Sequence, residues 1–180
     1  TILLLVALLA TALVYQLPHS ERIDIGAGNE DALIGGFYFA EGDAANSFRW
    51  SSELAQINFL GFGKCDAQLT LRMSGIRPAG PVQATIVVND QPLATDVTLG
   101  GEMQEYSFPV ARSQINQDGD LRLTIAVPTF QSPPDTRNLG IQVDWAEVRT
   151  ATGSLSLPPL LPWLSLVAGI GLLALAGFRL

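Results

Sequence analysis

The chain has 180 residues, 48% of them hydrophobic and 15% charged, with 17 acidic side chains against 10 basic ones and a formal net charge of −7. That length holds one ordinary domain. The sign of the charge argues against a nucleic-acid surface, which needs a basic face to displace counterions from phosphates.

The first element in chain order is apolar: TILLLVALLATALVYQL, Thr1 to Leu17. It is slightly short for a helix that crosses a bilayer, which takes about 20 apolar residues, but residues 1–17 are expected to form one. The segment begins at a threonine with no basic residue before it, so further residues are expected upstream. A cleaved secretory signal is the rival reading, although the basic start and small-residue cleavage site are missing. Tyr15 falls where an aromatic anchor would meet the headgroups. Pro18 to Ser20 follows as a linker.

From Arg22 to Arg149 the apolar period is two rather than 3.6. Expected strands are AQINFLGF (Ala55–Phe62), AQLTLRMSG (Ala67–Gly75), VQATIVVND (Val82–Asp90), QEYSFPV (Gln104–Val110), DLRLTIAV (Asp120–Val127) and LGIQVDWAEV (Leu139–Val148), with shorter ones at RIDI, GGFYFA and SFRWSS. Gly and Pro clusters between them, including Ser132-Pro133-Pro134-Asp135, read as turns or loops. VVNDQPLATDV is the clearest hairpin, because Asn89 and Asp90 tolerate the left-handed backbone of a tight reversal. Eight to ten short strands without an amphipathic helix predict an all-β fold, an antiparallel two-sheet sandwich over residues 18–152.

The last element, Leu157 to Phe178, is long and apolar enough to cross a membrane, so residues 157–179 are expected to form a second transmembrane helix. Pro158, Pro159 and Pro162 stand at its start, where missing backbone donors cost least. Trp163 is placed as a second interface anchor, mirroring Tyr15, and Arg179 marks a cytoplasmic end. Ser165, Gly169, Leu172 and Ala176 share a stripe on which another helix could pack. The expectation is a two-pass protein of the bacterial cytoplasmic membrane, with the sandwich on the periplasmic or extracellular side. Its partners would be the lipid bilayer and other membrane-protein subunits.

Reactive chemistry is sparse. Asp144 and Glu147 form an acidic pair near the end of the middle region, but three residues apart on a strand they point to opposite faces unless a bulge intervenes. Asp144 is expected outward or paired with an arginine. Gly26-Ala27-Gly28 lacks the third glycine and the following helix of a dinucleotide loop and reads as a turn. His19 is the sole histidine, which leaves no basis for a triad or histidine metal cluster. Cys65 is the sole cysteine, expected as a packing residue. Asn29, Glu30, Asp31, Glu41 and Asp43 could gather oxygens for calcium, the alternative being solvated loop charge. No cofactor is expected.

From Gln68 onward the order of elements resembles the galactose-binding-like jelly roll shared by many carbohydrate-binding modules: QLTLRMSG as an early core strand, ATIVVNDQPLATDV as a strand pair, EYSFPV, DGDLRLTIAV, and a closing strand NLGIQVDWAEVR. A wider stretch, GGFYFAEG, SFRWSS, INFLGFG and the Pro-rich start of an apolar segment, is similar to extracytoplasmic sandwiches of bacterial multi-spanning membrane proteins of glycosyltransferase type. The further helices of such enzymes are absent from this sequence, so the resemblance implies no transferase activity here.

A sugar-binding jelly roll needs exposed rings to stack on pyranose faces. The candidates are Trp50, Tyr38 and Tyr106, with Asp144 as a polar partner. Trp145 alternates in phase with Ile141 and Val143 and is expected in the core; Trp50 shares a face with Phe48 that also suits burial. The sequence therefore favours a non-catalytic extracytoplasmic accessory or assembly subunit of a larger membrane complex of photosynthetic, respiratory or envelope type. The alternative is a module that binds a glycan or glycolipid for a membrane glycosyltransferase.

Overall fold

The structure, a computed structural model, describes residues 2–43, 46–154, 164–165 and 167–172. A 13-residue helix, α1 (Ile2–Val14), precedes nine strands. These are β1 (Ser20–Asp24), β2 (Ile34–Asp43), β3 (Asn46–Phe59), β4 (Ala67–Ser74), β5 (Val82–Val88), β6 (Gln91–Leu99), β7 (Gln104–Val110), β8 (Leu121–Ala126) and β9 (Gln142–Thr150). Arg112–Gln114 forms one turn of 3-10 helix.

At about 1.5 Å per residue α1 is roughly 20 Å long. Among the described residues no helix is long and apolar enough to cross a membrane. Residues 164–165 and 167–172 are helical, and Ser165, Gly169 and Leu172 are exposed on them. Most of the expected C-terminal span lies outside the described residues, including Trp163 and Ala176.

All strand pairs are antiparallel, in the order β6-β5-β8-β3-β9-β4-β7, with β1 beside β9 and β2 beside β3. β3 joins the two layers of the sandwich. Its first half pairs with β9 (Arg49 with Val143, Trp50 with Gln142), and its second half pairs with β8, from Leu54 with Ala126 to Phe59 with Leu121. The expected segments SFRWSS and AQINFLGF are joined in one 14-residue strand, which ends at Phe59 and leaves Leu60 to Phe62 outside it.

Period-two alternation builds the core, since successive side chains leave a strand on opposite faces. Leu69, Leu71 and Met73 of β4, Ile57 and Phe59 of β3, Ile86 and Val88 of β5, Leu121, Leu123 and Ile125 of β8, and Ala146 and Val148 of β9 belong to one buried cluster. Cys65 is buried in it as well, the packing role expected of it. The hairpin falls where the sequence places it: Asn89 and Asp90 have φ of 47° and 63°, and Asn89 Nδ2 also donates to the carbonyl oxygens of Gln114 and Asp120 at 2.7 and 3.0 Å.

One face assignment is corrected. Arg72 pairs with Trp145 and Met73 with Val143, so Asp144 is the extra residue of a β-bulge and shifts the alternation by one. Val143 and Ala146 point inward, while Trp145 lies on the outer face with Thr70, Glu147 and Arg149. The indole is nevertheless only 6% exposed, because the Arg22 guanidinium lies 4.1 Å from the centre of its ring.

Trp145 is thus buried without belonging to the core cluster. Urea denaturation should show Trp145→Ala costing about 3 kcal/mol through lost burial, and Arg22→Ala costing about 1 kcal/mol through the lost cation–π contact. Equal, negligible losses in both variants would place the indole in solvent.

Candidate functional site

β9 begins and β4 ends at the same end of the sandwich, where a cleft of about 420 Å³ opens. Trp50, Phe130 and Leu139 form its apolar wall, and Arg77, Arg137, Glu41, Asp135, Ser132 and Gln142 line it with polar groups. Most of these residues come from two connections. Ile76, Arg77 and Pro78 follow β4, and a long loop joins β8 to β9.

That loop is held by its own backbone. Phe130 and Leu139 exchange hydrogen bonds of 2.9 Å in both directions, and the Asp135 N–H donates to the Ser132 carbonyl at 2.9 Å. Its base is pinned to β3: the Gly140 N–H donates to the Ser51 carbonyl at 2.8 Å, and the Ile141 N–H to Ser51 Oγ at 3.0 Å. A Cβ on Gly140 would lie 2.6 Å from the Ser52 carbonyl oxygen, so this approach requires glycine.

Trp50 is 9% exposed and meets Phe130 edge-on, with ring centres 5.9 Å apart and planes at 69°. Arg77 lies over Phe130, 5.1 Å from its centre, and its Nη2 donates to the carbonyl oxygens of Pro128 and Gly140, both at 3.0 Å. Arg77 makes no ion pair among the described residues, and its buried Nε has no hydrogen-bond partner. Burial accordingly lowers the pKa of this guanidinium.

Arg137 is held in place instead. Its Nη2 is 2.7 Å from both Glu41 Oε1 and Asp135 Oδ2, and its guanidinium lies 5.2 Å from the centre of the Tyr38 ring. Tyr38 donates in turn to the Asn138 carbonyl at 3.0 Å. The hydrogen bonds from the Arg137 side chain and backbone hold the Asp135 carboxyl below its ordinary value, and those to Asp135 and Glu41 raise the Arg137 pKa.

The expected site residues divide accordingly. Trp50 lines the cleft and Tyr38 backs it through Arg137. Tyr106 does not join them: it pairs with Leu71 and packs half-buried against the core on β7. Asp144 is 8% exposed and bonded to Arg72 Nη1, the arginine pairing expected of it, away from the cleft lining. The Asp144 bulge intervenes before Glu147, yet no acid–base pair results, because Glu147 binds Arg149 at 2.7 Å.

The acidic residues weighed for calcium are engaged elsewhere. Glu30, 2% exposed, accepts from the N–H groups of Gly26 (2.7 Å) and Gly28 (2.6 Å) and from Arg49 Nε (2.9 Å), so Gly26-Ala27-Gly28 is a turn closed on a carboxylate. Asp31 takes the other arm of Arg49 at 2.8 Å, Glu41 goes to Arg137, and Asp43 Oδ1 accepts from the Asn46 N–H. Among the described residues no three His, Cys, Asp or Glu side chains form a metal-binding group.

Sequence reading did not single out Arg77, Phe130, Asp135, Arg137 or Gln142. The one local signal was the Ser-Pro-Pro-Asp-Thr-Arg run, which marks a loop with a carboxylate and a guanidinium two residues apart.

No protein-family model and no curated protein matches the chain. Solved structures do. The ANX1 ectodomain of Arabidopsis thaliana superposes with a TM-score of 0.51 at 11% identity, over 79% of this chain and 42% of that one, less than half of its length. A family 35 carbohydrate-binding module from Clostridium thermocellum gives 0.43 at 12% identity, over 73% and 99%. A family 27 module known for specific mannan recognition gives 0.48 at 13% identity, over 76% and 98%. What this chain shares with the ANX1 ectodomain is the fold, the jelly-roll-like sandwich expected from its strand order.

The Glu30 cluster sets a pH dependence. Burial alone would raise its carboxyl, but the N–H groups of Glu30, Gly26 and Gly28 and the Arg49 charge outweigh it and lower the pKa from 4.5. Its stabilisation is therefore full above the unfolded value and is lost as pH falls through the lower folded value. Glu30→Gln should cost about 3 kcal/mol at neutral pH, and denaturation series should show this gap closing once the wild-type carboxyl protonates. A gap independent of pH would contradict the assignment.

Proposed function

We propose that this chain is a non-catalytic, membrane-tethered glycan-binding module whose ligand occupies the Trp50–Phe130 cleft. The observation that carries the reading is an apolar aromatic wall and pre-positioned polar side chains in a cleft of about 420 Å³, within the size range of ligand pockets, roughly 300–1,000 Å³. A pyranose has apolar C–H faces and a rim of hydroxyls. The half-buried Phe130, backed by the buried Trp50, offers apolar contact to the first, and planar guanidinium, carboxylate and carboxamide groups serve the second with paired hydrogen bonds.

The same geometry argues against catalysis at this site. A general acid must hold its proton near neutral pH, and Asp135 is shifted the opposite way by Arg137. Glu41 is bound to the same arginine. The arrangement suits holding a ligand.

Anchoring follows from the apolar sequences at either end, with the sandwich on the outer side of a bacterial cytoplasmic membrane. A tethered binding module raises the local concentration of a polymeric substrate for enzymes in the same membrane. The accessory-subunit role then means service to a membrane glycosyltransferase.

The test is isothermal titration of the full chain in lipid nanodiscs with manno-, xylo-, cello- and uronic-acid-containing oligosaccharides. At least one series should bind, and Arg137→Ala or Arg77→Ala should weaken it about tenfold, or about 1.4 kcal/mol. Thr70→Ala, on the outer face, should leave affinity unchanged. No binding to any series, or binding indifferent to both arginines, would overturn the reading.

A further inference from the structure

The link that follows α1 and the residues that follow β9 meet at one place on the sandwich. β1 follows α1 after a short link and runs antiparallel to β9, so that Ser20 pairs with Arg149. The junction is bonded further: the Thr150 N–H donates to the His19 carbonyl at 3.0 Å, the Ala151 N–H to the Asp66 carbonyl at 2.9 Å, and the Asp66 N–H to Ser154 Oγ at 2.8 Å. The residue that leaves α1 and the residues that lead to the apolar stretch from Leu157 are therefore fixed side by side.

This end is opposite the cleft. β9 runs from Gln142 in the cleft to Thr150 at the junction, nine residues that span roughly 30 Å at strand geometry. The turn after β3 sits beside the junction, where His19 Nε2 donates to the Phe62 carbonyl at 2.8 Å and the two rings meet at a tilt of 47° with centres 4.5 Å apart. Leu60, on that turn, is 60% exposed, and Leu13, Val14 and Leu17, on and just after α1, are exposed as well. A cavity of about 510 Å³ lies between Val14, Tyr15 and Leu17 on one side and Phe62 on the other. Exposed apolar side chains gathered at one end of a domain cost free energy in water.

We propose that this end of the sandwich rests on the bilayer, with Leu60 in the interfacial layer and the cavity beside Phe62 taking part of a phospholipid, so that the cleft faces away from the membrane. The inference rests on the tethered reading above. Lipid is the occupant because Val14 and Leu17, at and just after the end of apolar α1, line the cavity and because residues 151–154, bonded at this same end, lead into the apolar sequence from Leu157. Burial raises the Glu21 carboxyl beside the cavity, against the lowering effect of His19, as suits a site partly withdrawn from water.

The test is lipid quenching in the full chain, reconstituted in phosphatidylcholine nanodiscs with and without brominated acyl chains. A fluorophore is attached singly through Leu60→Cys, Ile76→Cys at the cleft end, or Leu9→Cys on α1, and the unsubstituted chain with its buried Cys65 gives the background. Several-fold stronger quenching at positions 9 and 60 than at 76 is expected. Quenching at 9 alone would mean that the sandwich stands off the surface and would overturn the docking while leaving the tether. Equal quenching at 60 and 76 would overturn the orientation. Quenching at none of the three would overturn docking and tether together.

Discussion

β9 is hydrogen-bonded along both edges: to β1 and the first half of β3 on one side and to β4 on the other. A strand so placed must satisfy its backbone groups through its neighbours, since unpaired polar groups are costly away from water. Everything of functional interest is arranged along this strand. Gln142 stands in the cleft at its start, the Asp144 bulge turns Trp145 outward in its middle, and Thr150 bonds to His19 at its end. The pairing with β1 also brings the link from α1 beside the end of β9 and leaves the cleft at the opposite end.

The arginines gather much of the acidic charge of the domain into local ion-paired groups. Arg49 serves Glu30 and Asp31, Arg72 serves Asp144, Arg137 serves Glu41 and Asp135, and Arg149 serves Glu147. Exposed pairs of this kind add little stability. Their value is positional where they are covered: Arg49 and Glu30 close the turn before β2, and Asp135, Glu41 and Tyr38 fix the Arg137 guanidinium. Arg77, by contrast, is held by two carbonyl oxygens and an aromatic face without a counter-charge among the described residues, and that makes it the polar group of the cleft with most to gain from a ligand.

Local signals were legible in the sequence and long-range ones were not. Alternation over Ala67–Ser74, Val82–Val88 and Leu121–Ala126 gives strands because each pattern repeats within a few residues, and Asn89-Asp90 gives the hairpin because a tight turn needs those residue types. The closing strand misled at Trp145, since a bulge inserts one residue without a local signature and reverses every side chain after it. SFRWSS and AQINFLGF read as two strands because Glu53 and Leu54, between them, are exposed where β3 leaves one layer for the other. The cleft was the least legible feature. It draws on residues as far apart as Glu41, Arg77, Phe130 and Gln142, and only the antiparallel register brings them together.

Hydrogen–deuterium exchange of the full chain in nanodiscs, with and without the tightest-binding oligosaccharide, tests the central claim most directly. Ligand should slow exchange in the loop from 128 to 141 and around residues 75–79, while the strands carrying Thr70, Ser107 and Glu147 exchange as before. Protection confined to that outer face, or to none of the chain, would contradict a glycan seated between Trp50, Phe130 and the two arginines.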